Sequence, residues 1–164
     1  MKRFFVCLAA ALTALAFNAQ AAGLESFVGK SPSSLLKKEK PFAKAYRATI
    51  KDQDLPDWTL KLSTGQPAEA VTLEGQTLIL MSACNPKTGC EDERFYILYE
   101  PADQSITGFF FLPPDMSAPG DHRMALSRWL GKTPSKERSD FLLNRALKDA
   151  MPETEQHPAV KAAN

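Results

Sequence analysis

The chain has 164 residues, 44% of them hydrophobic, which is enough for one domain with a core of its own. Its 20 Lys and Arg nearly balance 19 Asp and Glu, so it lacks the concentrated basic surface that nucleic acid requires. Two histidines, His122 and His157, are too few for a multi-histidine metal centre and leave little material for a Ser-His-Asp triad.

The chain opens as a secretory signal. Lys2 and Arg3 form a positive start, Phe4 to Phe17 is an almost unbroken apolar run, and Ala19-Gln20-Ala21 supplies the small residues of a cleavage site. The run falls short of the about 20 residues of a membrane span. Residues 1–21 are therefore read as a signal peptide cleaved after Ala21, with a retained anchor as the alternative and no membrane contact expected after cleavage. Cys7 lies inside the run, far from a lipoprotein cleavage site. Lys2 and Arg3 would leave with the signal and no acid would, so 18 basic against 19 acidic side chains give a balance of −1.

Ser31-Pro32 predicts an N-cap followed by proline at the start of a short helix containing Leu35 and Leu36. Pro41 interrupts it, and a second helix is predicted from Pro41 to about Lys51, with Phe42, Ala45, Tyr46, Ala48 and Ile50 at roughly helical spacing. Leu55-Pro56 ends that helix, and Trp58 is expected to dock into the core. Alternation then predicts a strand over Trp58–Leu62. Glu74-Gly75 marks a hairpin turn between Val71–Leu73 and Thr77–Met81. Arg94–Tyr99 and Ile106–Leu112 read as further strands around a turn at 101–104, with Gly108 marking a bulge or a close approach. Phe109-Phe110-Phe111 suggests strands covered on both faces. Asp121–Leu130 is expected to be an amphipathic helix stopped by Gly131, and Thr133-Pro134 to open a last helix through Ala150. Residues 153–164 read as a disordered tail, which leaves 22–152 as one domain. Helices, antiparallel strands, then helices argue for an α+β fold with a central antiparallel sheet.

Without Cys7, two cysteines remain, Cys84 and Cys90. In an exported chain an even count points to a structural disulfide, the alternative being a two-thiol redox site, which usually has Cys-x-x-Cys spacing. The enclosed segment is Asn85-Pro86-Lys87-Thr88-Gly89. Pro86 fixes one dihedral and Gly89 permits a positive one, which suits a tight protruding turn. Lys87 offers three donors and a full charge on a long stem, so the tip could enter an acidic cleft. A binding knob and a plain staple of a strand turn fit these residues equally well. Glu91-Asp92-Glu93, directly after Cys90, reads as a solvated turn rather than a catalytic carboxylate pair, and His122 as a solvated helix-start residue. The chain contains no Gly-rich phosphate loop. No metal, cofactor or catalytic residue is expected.

The residues resemble the Ivy family, the periplasmic inhibitors of vertebrate c-type lysozyme, from about Ser33 to about Gly108. The resemblance rests on Leu55-Pro56-x-Trp58, Pro67-Ala68, Val71-Thr72-Leu73 and Thr107-Gly108. Its strongest part is Met81-Ser82-Ala83-Cys84-x-Pro86, closed by Cys90 and followed by Arg94. It implies an α+β fold, a periplasmic location, no enzymatic activity, and a disulfide-closed loop inserted into the lysozyme cleft. In the family a loop histidine meets the two catalytic carboxylates, and four residues, commonly Lys-Pro-His-Asp, lie between the cysteines. Here five intervene and none is histidine. Lys87 and Asn85 then stand as donors, with Pro86, Thr88 and Gly89 shaping the tip. The expected partner is c-type lysozyme or, given the altered loop, another peptidoglycan-cleaving enzyme such as a lytic transglycosylase. Members occur as dimers or monomers, so the resemblance leaves a homodimer open.

Overall fold

The computed structural model describes residues 24–114 and 124–150. The expected signal peptide, the tail and both histidines lie outside the described residues. Two helices come first, α1 (Pro32–Lys38) and α2 (Lys40–Ile50). The Ser31 side chain caps α1 by accepting from the Ser34 amide, and Pro41 sits in the first turn of α2, where a missing N–H is tolerated.

Five strands follow: β1 (Thr64–Leu73), β2 (Gln76–Asn85), β3 (Gly89–Glu100), β4 (Ser105–Leu112) and β5 (Leu126–Gly131). They form one antiparallel sheet in the order β1-β2-β3-β4-β5, and α3 (Lys136–Ala150) closes the described chain. This is the α+β architecture expected from the sequence.

Both faces of the sheet are covered, which explains the unbroken apolar runs. On one face α1 and α2 bury Leu35, Phe42 and Tyr46 against Met81, Phe95, Ile97, Tyr99 and Phe110. On the other, Leu142 and Ala146 of α3 cover Leu80, Tyr96, Leu98, Phe109 and Phe111. The triple phenylalanine divides between the two layers. Gly108 is a site of close approach: a Cβ there would lie 2.8 Å from the Phe95 ring.

Three expectations fail. Trp58–Leu62 is not a strand; Asp57–Leu60 is a 3-10 turn, closed by the Thr59 amide on the Pro56 carbonyl at 3.0 Å. Thr59 is buried while Leu60 is exposed, so the apparent alternation misassigned the faces. Asp121–Leu130 is not a helix over its described part, because Leu126–Gly131 pairs with β4 as strand β5. The open hydrogen-bonding edge of β4 outweighs a weak helical pattern there. The last helix is capped two residues later than expected, at Ser135 rather than Thr133: Ser135 Oγ accepts from the Arg138 amide at 3.3 Å, and Pro134 stands outside the helix.

Ion-pair clusters fasten α3 to the sheet at both ends. Near its start, the buried Arg138 donates to Glu74 at 2.9 Å, to Glu100 at 3.0 Å and to Gln76 at 2.6 Å. Near its end, Asp149 accepts from Arg94 at 3.3 Å and from Tyr96 at 3.0 Å.

Candidate functional site: the Cys84–Cys90 tip

The tip joins β2 to β3. Asn85 pairs with Gly89, leaving Pro86, Lys87 and Thr88 as a three-residue turn. Gly89 has φ +86°, the left-handed conformation that such a turn needs at its end. Asn85 Oδ1 accepts from the Lys87 amide at 3.0 Å, so the asparagine side chain folds over the turn it begins.

Below the tip the register breaks. Cys84 pairs with Arg94, whereas its neighbour Asn85 pairs with Gly89, so residues 90–93 of β3 loop out between these two pairs. Cys84 and Cys90 are joined by a disulfide with their Cα atoms 5.0 Å apart. Cys84 is buried, whereas Pro86, Lys87, Thr88 and Gly89 are all exposed. The expected site residues are thus brought together as one projecting knob on a fixed base.

The acidic run is more than a solvated turn. Glu91 is exposed, but Glu93 is half-buried. Its Oε2 accepts from Trp58 Nε1 at 2.8 Å and from Asn85 Nδ2 at 3.1 Å. Trp58 packs against Phe110 with ring centroids 6.3 Å apart. Its 3-10 turn is held from beneath by the buried Tyr46 hydroxyl, which donates to the Thr59 carbonyl at 2.7 Å. Burial pushes the Tyr46 phenol far above its ordinary range, so it stays a neutral donor. Sequence reading placed Trp58 in the core but did not connect it to the tip, and it took Glu93 for part of a solvated turn. The available signal was an acid at the hairpin base following a disulfide cysteine. Its partner lies 35 residues away in sequence and could not be read from spacing.

Among the described residues no cluster of His, Cys, Asp and Glu could hold a metal ion. Arg94, which follows the tip, turns toward Asp149 of α3 instead of joining the knob. What the tip presents is one cationic side chain, Lys87, with polar neighbours on a short, doubly fastened turn.

Residues 41–136 match the family described as Inhibitor of vertebrate lysozyme (Ivy). The chain belongs to the Ivy family. An Ivy relative, the Inhibitor of vertebrate lysozyme of Escherichia coli (strain K12), is 36% identical over 78 residues, covering 48% of this chain and 48% of that protein. The protein of the same name from Escherichia coli O157:H7 gives the same figures. The match thus spans about half the length of these curated relatives. The Ivy family is, by its description, one of inhibitors.

Proposed function

We propose that this protein inhibits c-type lysozyme by inserting the Cys84–Cys90 tip into the active-site cleft. The observation that carries the reading is the projecting, disulfide-closed turn with Lys87 as its charged side chain, in a chain of the Ivy family. A retaining glycosidase works with two carboxyl groups about 5–5.5 Å apart, one acid and one nucleophile. A lysine ammonium has three donors and can meet both, which blocks substrate and chemistry together. Asn85 uses its carbonyl and one N–H on the tip itself, leaving a second N–H for the target. A turn ordered before binding loses little conformational freedom on docking. The seven-residue ring restricts the unfolded chain by roughly 2–2.5 kcal/mol in the chain-entropy view.

The signal-like start, Lys2 to Ala21, supports export to the periplasm, where such a disulfide can form. The deciding experiment is a lysozyme assay with the wild type, Lys87→Ala, and a variant carrying a four-residue, histidine-bearing tip. Inhibition by the wild type, weakened about tenfold or more in Lys87→Ala, is the expected result. Full lysozyme activity at micromolar excess of the wild type would sink the reading.

A second reading keeps the knob and changes the target. Five residues between the cysteines, none of them histidine, favour an enzyme other than c-type lysozyme, such as a lytic transglycosylase. Titration of such an enzyme, alongside an unaffected lysozyme, would support it.

A further inference from the structure

We propose that Glu93 is the positioning residue of the tip, setting the direction in which Lys87 is presented through a relay separate from the disulfide. The inference deepens the inhibitory reading and rests on it for its functional consequence. The relay is continuous. Tyr46 of α2 holds the 3-10 turn through the Thr59 carbonyl at 2.7 Å, and that turn carries Trp58. Trp58 Nε1 reaches Glu93 Oε2 at 2.8 Å, Glu93 Oε2 accepts Asn85 Nδ2 at 3.1 Å, and Asn85 Oδ1 accepts the Lys87 amide at 3.0 Å.

The disulfide alone does not fix this geometry. It ties Cys90 to Cys84 at the base, whereas within 85–89 the turn is held by the Asn85–Gly89 pair and the Asn85 side chain. The Glu93 relay instead grips Asn85, the first residue of the turn. The bulge at 90–93 makes this possible, because it lets β3 return beneath Asn85 with Glu93 pointing at the indole. One carboxylate oxygen accepting two N–H groups is a charge-assisted arrangement, stronger and more directional than a contact between neutral groups.

The test compares Glu93→Ala, Glu93→Gln and Trp58→Phe in the whole protein. Two quantities are read: hydrogen exchange of the Lys87 amide in the free protein, and inhibition of c-type lysozyme. Glu93→Ala is expected to speed Lys87 exchange about fivefold and to weaken inhibition about tenfold. Glu93→Gln keeps an acceptor for both N–H groups but loses the charge, so it is expected to fall between wild type and Glu93→Ala in both readouts. Trp58→Phe keeps a ring on Phe110 but removes the indole donor, so it should loosen Lys87 in the same direction even if Glu93→Ala does not fold. Unchanged Lys87 exchange in a folded Glu93→Ala, or in Trp58→Phe, overturns the relay. So does a Glu93→Gln that behaves like Glu93→Ala. If Lys87 loosens as expected while the wild type leaves lysozyme untouched, the relay stands and the inhibitory reading fails.

Discussion

Trp58 Nε1 donates to Glu93 Oε2 at 2.8 Å, joining the 3-10 turn to the base of the β2–β3 tip. This bond also carries stability. Trp58→Phe removes a donor from a half-buried carboxylate while keeping much of the packing on Phe110. A loss of about 1–2 kcal/mol is expected, read as a lower urea midpoint at an unchanged slope.

Arg138 is a stronger anchor. Its guanidinium joins Glu74, Gln76 and Glu100, and its side chain and that of Glu100 are 7% and 8% exposed. Arg138→Met leaves Glu100 with Lys132 alone, at 3.0 Å. About 3 kcal/mol of stability should be lost, because a buried carboxylate keeps its desolvation cost and loses its main partner. Arg138→Met with Glu100→Gln should cost less than Arg138→Met alone, and denaturant titration of both variants decides the comparison.

Gly108 permits the contact between β4 and the Phe95 ring. An alanine Cβ would lie 2.8 and 2.9 Å from two atoms of that ring and 3.2 Å from Leu130 Cβ. Phe95 is fully buried against Tyr46, so it has little room to withdraw. Gly108→Ala is expected to destabilise by about 2 kcal/mol through overpacking. A denaturation midpoint equal to wild type would show that the ring can move aside.

Acid should loosen the Lys132 corner. Partial burial pushes the Asp103 carboxyl up, but the Lys132 ammonium at 2.8 Å and the hydrogen bonds from Ser105 outweigh it and hold the group at about 2, against an ordinary 3.8. The folded value is the lower one, so the unfolded chain takes up this proton first on acidification. The contribution is complete above about pH 4 and disappears as pH falls toward about 2. Asp103→Asn should flatten that limb of the stability curve, as urea midpoints across the interval would show.

The legible parts of the molecule were those whose cause is local. The Ser31 cap, the Pro41 break, the Glu74-Gly75 hairpin and the small ring around Pro86 and Gly89 all depend on side chains within a few residues of the backbone they control. The unbroken apolar runs also announced a sheet covered on both sides. The misread segments depend on distant partners. Leu126–Gly131 is a strand because β4 offers it a hydrogen-bonding edge, although its apolar spacing also fits a helix.

The same division runs through the knob. The sequence by itself determined that Cys84 and Cys90 could close a short turn presenting Lys87, and it carried the family resemblance. Only the tertiary structure decided how that turn is held. Glu93 lies three residues beyond the disulfide, but its indole partner belongs to a 3-10 turn that Tyr46 of α2 fixes through the Thr59 carbonyl. A hydrogen bond depends on where the folded chain places a donor and an acceptor, and spacing along the sequence does not encode that for groups so far apart.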